Sequence, residues 1–392
     1  MYPDLSYIMH ALIGTARDNG FAAVKTFGLF LVLAILTSAY FLFLELRRKE
    51  KEGFLKPVRE KIIVGAPATI WEIIGNGLFG FVLGFKGVYA AMNFEAFKVD
   101  PASIVFSGLG NWPAGIALFA LFAFLRYWDK NKKKLPKPEE KTLVVHPWER
   151  IADITMVAAI SGVAGAKIFA VIEDLPALFN DPLGTLFSGG GVAIYGGLIG
   201  GFLAVFFYVR SKGIPPIHIM DAVAPALMFG YAVGRIGCQL SGDGDWGIDN
   251  ALPPPDSWFL PDWMWAYDYP HNVLRQGVPI EGCEVFYCNK LATPVYPTPF
   301  YEIVMATLIG IILWVLRKRV RITGMLFFIY LIFNGIERFF IEKIRINDHY
   351  DILGMQLTQA EIIALLLVLT GIIGCVYLYR NGERQVLKST KA

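Results

Sequence analysis

The sequence is short of charge. Asp, Glu, Lys and Arg make up only 18% of its 392 residues, against roughly a quarter in an ordinary soluble domain. It has just 5 histidines and 4 cysteines, too few for a dense disulfide framework. No paired His–carboxylate motif appears, so no metal or other cofactor is indicated. The net charge of +3 is too small to recruit a nucleic acid or another anionic partner. No internal repeat is visible, which removes the support for an inverted-repeat transporter. Neither glycine-rich run is followed by Gly-Lys-Ser/Thr, so neither is a P-loop, and the one weak GxGxxG likeness has no strand before it.

Apolar residues are abundant instead, at 55% of the chain. They fall in runs of about 20, the length that crosses a bilayer as a helix. The pattern predicts an all-α polytopic membrane protein and excludes a disordered chain and most soluble enzymes. Asp4, His10, Arg17 and Asp18 stand in the first 20 residues. The apolar run after them outlasts a signal-peptide core and reads as a retained span. About nine spans are expected, near 22–46, 65–92, 102–127, 151–172, 185–210, 216–240, 298–316, 323–342 and 355–380. Glu72, Asn76 and Lys86 interrupt the second and Pro113 the third, so a shallow or re-entrant segment is the alternative there.

Lysine and arginine set the orientation. Arg47–Lys51, Arg126–Lys134, Arg210–Lys212, Arg317–Arg321 and the tail (Arg380, Arg384, Lys388, Lys391) fall after alternate spans. The long connection 241–297 holds only Arg275 and Lys290. The N-terminus is therefore expected outside and the C-terminus in the cytoplasm. The chain divides into 1–46 (external segment and first span), 47–150 (two spans and a basic linker), 151–240 (core spans), 241–297 (external lobe), 298–380 (core spans) and 381–392 (tail). The charged, proline-punctuated linker 128–149 reads as a solvated loop. Cys283 and Cys288 share the lobe, where an oxidising exterior permits a disulfide; two free thiols are the alternative. Cys238 and Cys375 read as small buried residues.

Ionisable residues inside spans are costly and point to function. Arg235 lies about 7 Å inside the outer end of its span, at 1.5 Å per residue. Glu302 stands at the outer start of the next span. Arg338 and Glu342 share a helix face through i, i+4 spacing, and Arg345 continues it. Asp243 and Asp245 follow directly after the span of Arg235. Arginine binds phosphate through a planar fork, so the cluster suits a phospholipid headgroup. The competing reading is internal ion pairs, Arg235 with Asp243 and Arg338 with Glu342. Ser188–Gly201 (SGGGVAIYGGLIGG) and Phe229–Gly244 (FGYAVGRIGCQLSGDG) admit close helix packing. The Tyr195 and Arg235 within them also suit a ligand near the backbone. Lys167 and Asp221 also lie in spans, the first near the site or snorkelling, the second capping or pairing.

YGGLIGG (195–201), DAVAPALMFGYAVGRIGCQLSGD (221–243), PTPFYE (297–302) and GIERFFIEKIRIND (335–348) resemble, in order, the motifs of bacterial prolipoprotein diacylglyceryl transferases. KTFGLF (25–30) is similar to the family's first-helix motif, and about 50–148 resembles an insertion of two spans into the usual seven. The resemblance implies transfer of a diacylglyceryl group from phosphatidylglycerol to the lipobox cysteine of a preprolipoprotein signal peptide. A thioether forms and glycerol phosphate leaves, at the outer face of the bacterial inner membrane. By position it implies Arg235, Asp243, Tyr195 and Arg338 as catalytic, with Glu302, Glu342, Arg345, Gly196, Gly197 and Ser241 binding substrate. The chain departs from the family at Tyr195 (usually His), Cys238 and Ser241 (usually Asn), Asp243 (usually Glu) and Phe27 (usually Tyr). An accessory lipid-binding relative without turnover, a transferase with another acceptor and a transporter are the competing readings.

Overall fold

A computed structural model describes residues 1–181, 193–347, 349–352 and 355–381. Ser188 and the three glycines after it, the start of the fifth expected span, Asp348 and the tail from 382 lie outside the described residues. In chain order the main helices are α1 (Leu5–Ile13), α2 (Thr26–Lys51), α3 (Ile70–Met92), α4 (Trp112–Lys132), α5 (Ile151–Glu173), α6 (Ile194–Ser211), α7 (Pro216–Ser241), α8 (Thr298–Leu316), α9 (Met325–Glu342) and α10 (Gln359–Asn381). Strands β1 (Val58–Val64) and β2 (Glu139–Val145) pair, and two further two-stranded ribbons are small.

Among the described residues, six helices, α2, α3, α5, α7, α8 and α10, are long and apolar enough to cross a membrane. The chain is thus a mostly helical membrane protein. The other three expected spans correspond to α4, α6 and α9. Helix α6 is shorter, α4 ends in the charged Arg126–Lys132 segment, and α9 carries Glu337, Arg338 and Glu342 within 18 residues.

Two compact units divide the chain. The first comprises 1–56 and 213–392. Here α7 packs along α2 and α8, and α9 along α10. Small residues permit the first contact: a Cβ on Gly237 would lie 2.7 Å from the Phe30 Cβ, and one on Gly230 would meet Ser38. Asp221 in α7 accepts hydrogen bonds from Gly324 N (2.7 Å) and Phe327 N (3.2 Å), capping α9, and lies 3.5 Å from Lys49 Nζ. Helix α10 starts on a reciprocal cap between Thr358 and Glu361. The lobe 241–297 is built on buried Trp246, Tyr269 and Val295 and closed by a Cys283–Cys288 disulfide.

The second unit, 57–212, holds two helix pairs, α3 with α4 and α5 with α6. Its linker is not wholly a loop: β2 runs antiparallel to β1, from Val58 opposite Val145 to Val64 opposite Glu139. Exposure alternates residue by residue along VREKIIV, as in a strand with one covered face. Pro113 does not interrupt a span either. It sits in the first turn of α4, where a missing N–H is harmless, and the helix starts about ten residues later than expected. Lys86 is held by the backbone carbonyls of Ile104, Ser107 and Leu109 at a π-helical turn of α3.

Candidate active site

Helix α7 ends where Gly242 turns left-handed (φ 64°). The chain then runs through Asp243 and Asp245 to Gly247, whose backbone bridges to Arg345. A Cβ on Gly247 would lie 2.4 Å from the Ile344 carbonyl, so only glycine allows this approach. These turns bring the C-terminal ends of α7 and α9 to the first turn of α8.

Glu302 lies at the centre, with no exposed surface. Arg235 Nε is 2.9 Å from Glu302 Oε2, in ion-pair contact though misaligned for a hydrogen bond. Arg345 Nη1 is 3.4 Å and Arg338 Nη1 3.8 Å from Oε1. Tyr231 donates its hydroxyl to the same oxygen at 3.0 Å, one turn before Arg235 on α7. Arg235 and Arg345 share a second carboxylate, Asp245, the latter at 2.8 Å. Arg338 Nη2 is 2.8 Å from Glu342, whose other oxygen accepts from Asn347. A buried charge survives only when paired. Three arginines and three carboxylates here compensate one another.

The expected Arg338–Glu342 pair is present; the Arg235–Asp243 pair is replaced by Arg235 with Asp245 and Glu302. The turn at Gly242 instead leaves Asp243 against the Cys238 thiol, with Oδ1 accepting from Asp245 N at 3.4 Å. Burial pushes the Asp243 carboxyl up from its ordinary value. Burial also opposes ionisation of Asp245, but Arg235 and Arg345 outweigh it and hold that carboxyl low. Cys238 Sγ and the Asp243 and Asp245 carboxylates approach within 4.8 Å of one another. Arg235 lies beside them, with Nη1 3.7 Å from the sulfur.

Ser241 is fully buried, its hydroxyl 3.4 Å from the Cys238 carbonyl, a helix-end contact. Tyr195, Gly196 and Gly197 belong to the second unit, as does Lys167. There the glycines follow the packing reading: a Cβ on Gly196 would come within 2.4 Å of Phe169, and one on Gly197 within 3.1 Å of the Gly162 carbonyl. Glu337 went unnoticed in the sequence. It is 3% exposed, feels the charges of Glu302, Arg338, Arg235 and Arg345, and has one oxygen without a hydrogen-bond partner. Its signal was available: it precedes Arg338 in an otherwise apolar helix.

A family model described as prolipoprotein diacylglyceryl transferase matches residues 115–377. The chain is similar to the phosphatidylglycerol–prolipoprotein diacylglyceryl transferase of Staphylococcus haemolyticus (strain JCSC1435), 28% identical over 306 residues, covering 76% of this chain and 95% of that protein. Its counterpart from Staphylococcus xylosus is 30% identical over 227 residues, 57% of this chain and 73% of the relative. That of Clostridioides difficile (strain 630) is 29% identical over 243 residues, 60% and 81% respectively.

Proposed function

The chain belongs to the prolipoprotein diacylglyceryl transferase family, and from that premise we propose how its arginine cluster carries the reaction. The enzyme moves the diacylglyceryl group of phosphatidylglycerol onto a prolipoprotein. The observation that carries the mechanism is the convergence of Arg235, Arg338 and Arg345 on one buried glutamate.

The donor phosphate lies against Arg235 and Arg338, competing with Glu302 and Asp245 for their forks. The lipobox thiol of the signal peptide gives its proton to Asp243, since the thiolate is the nucleophile. The sulfur attacks the glycerol carbon bearing the phosphodiester oxygen. A C–S bond forms, the C–O bond breaks, and its electron pair leaves with glycerol phosphate. Charge develops on the departing oxygen, and prepositioned guanidiniums stabilise it. The proton on Asp243 passes to the departing phosphate or to water. Glu302, Glu342 and Arg345 set the guanidinium positions. No metal or organic cofactor takes part in this scheme.

The same reading has nine spans, the N-terminus outside, the C-terminus in the cytoplasm and the site toward the outer face of the bacterial inner membrane. The segment 47–150 is an insertion between the first span and the core spans 151–240 and 298–380. The lobe 241–297 covers the outer side, and 381–392 is a cytoplasmic tail. The asymmetry of lysine and arginine supports this arrangement.

The test uses purified protein, phosphatidylglycerol and a synthetic lipobox peptide, following peptide mass and glycerol phosphate together. A diacylglyceryl mass gain is expected, reduced about 10²–10³-fold in Arg235→Ala and Arg338→Ala, the range for removing one preorganised donor. Arg235→Lys is also expected to be poor, because a point charge does not replace a fork. Full activity in Arg235→Ala would falsify the mechanism.

A further inference from the structure

A second polar cavity lies outside the arginine cluster, between α1 and the lobe, and shares no residue with that cluster. It measures about 360 Å³, and its polar lining is Tyr2, Tyr7, His10, Arg17, Tyr267 and His271. No carboxylate lines it. Neighbouring acids are engaged elsewhere: Asp4 with Ser6 and Lys25, Asp18 with the Phe286 N–H, Asp268 with Lys290.

Arg17 contrasts with the arginines of the active site. Among the described residues it has no carboxylate within ion-pair distance. Its guanidinium stands 5.4 Å over the Tyr7 ring, and its Nε is buried without an acceptor. A buried donor without a partner is unfavourable, and an anion in the cavity removes that penalty. The histidines add donors or acceptors. Each places Nδ1 against a backbone carbonyl, His10 on Thr15 (2.6 Å) and His271 on Tyr287 (2.5 Å). A carbonyl only accepts, so Nδ1 carries the hydrogen and Nε2 is left as an acceptor for a ligand hydroxyl. Tyrosine hydroxyls complete a wall suited to a phosphate and to the hydroxyls of a polyol.

We propose that this cavity is a second anion site, which takes the phosphate of a glycerol phosphate group through Arg17. The anion chemistry stands on the cavity alone; the choice of glycerol phosphate rests on the transferase reading above. The same chemistry is carried by the free leaving group and by a lipid headgroup.

The experiment places a reporter on the wall, Ala11→Cys, and follows its modification by a soluble maleimide in the full-length protein. Inorganic phosphate, glycerol phosphate and phosphatidylglycerol nanodiscs are compared. Phosphate-bearing ligand is expected to slow labelling at least tenfold. Arg17→Ala is expected to abolish that protection, and Arg17→Lys to weaken it while a monodisperse elution profile confirms the fold. Protection by free glycerol phosphate assigns the site to the released product; protection by nanodiscs alone assigns it to a headgroup. Labelling unchanged by all three ligands, or protection persisting in Arg17→Ala, overturns the proposal. Arg235→Ala separates the two readings: it should stop transfer and leave protection intact. Protection lost in Arg235→Ala but kept in Arg17→Ala shows binding at the active site only, which also overturns it.

Discussion

Asp243 and Asp245 stand two residues apart and are set to opposite tasks by their surroundings. Asp245 receives two guanidiniums, which hold its carboxyl low; Asp243 is buried beside the Cys238 thiol and its carboxyl is pushed up. A raised carboxyl holds its proton more tightly and is the better acceptor for a thiol proton near neutral pH. It serves as base only when ionised, so the transfer rate is expected to fall as pH drops through its raised value. In Asp243→Asn the rate at neutral pH should drop about 10²–10⁴-fold, the range for one acid–base group, and the acid limb should vanish from the rate profile. An unchanged acid limb in that variant rules Asp243 out as the base. Tyr195→Phe asks a separate question at the same scale: a retained rate leaves the hydroxyl a structural part only, whereas a loss of tenfold or more gives it a part in chemistry. The residues of the arginine cluster were legible in the sequence because charge inside an apolar helix is conspicuous. Their pairing was not, since the left-handed turn at Gly242 decides which aspartate meets Arg235. Glu337 escaped because it adjoins a more obvious arginine.

At the scale of elements, apolar runs bounded by basic residues located most helices to within a few residues, because span length and flanking charge are local properties. The β1–β2 pair was missed for the opposite reason: strand pairing joins segments about 80 residues apart, and neither VREKIIV nor EEKTLVV alternates apolar with polar residues. Two intramembrane features keep the packing and capping parts read from the sequence, and the fold supplies their partners. The glycines of α6 face those of α5, with a Cβ on Gly165 reaching within 2.4 Å of the Gly196 carbonyl. Gly196→Leu is therefore expected to separate the helices and lower the unfolding temperature in detergent, whereas Leu198→Ala, at an exposed position, should leave it nearly unchanged. Asp221 joins three elements, capping α9 while pairing with Lys49 of α2. Asp221→Ala strands the Lys49 ammonium, which is only 2% exposed. Removing one partner of a buried pair destabilises by about 3–5 kcal/mol. Asp221→Asn keeps an acceptor for Gly324 N–H and should recover part of the loss. Equal unfolding temperatures for Asp221→Ala and the parent protein would show that the cap contributes nothing.

For the whole molecule, the proposed topology and the proposed chemistry both rest on where charge is placed along the chain. The proposed orientation follows from basic clusters at alternate span ends, with the Arg126–Lys134 segment in the cytoplasm and the acidic, aromatic lobe outside. The arginines with buried partners, Arg235 and Arg338, lie at the lobe ends of α7 and α9. In this orientation they fall at headgroup depth of the outer leaflet. A phosphate is reached there without crossing the hydrocarbon, and a secreted signal peptide presents its cysteine on the same side. Were the chain inverted, the lobe disulfide would face the reducing cytoplasm and the cluster would face the wrong leaflet for an exported substrate. The orientation is directly measurable. Phe259 in the lobe is 91% exposed and Lys132 lies at the exposed end of α4. In intact spheroplasts a membrane-impermeant maleimide is expected to label Phe259→Cys and to spare Lys132→Cys until the membrane is permeabilised. The reverse pattern would place the arginines on the cytoplasmic side and remove the basis for their meeting an exported lipobox. Labelling of both before permeabilisation would mean an even number of crossings between these two positions, which is incompatible with nine spans in the order proposed.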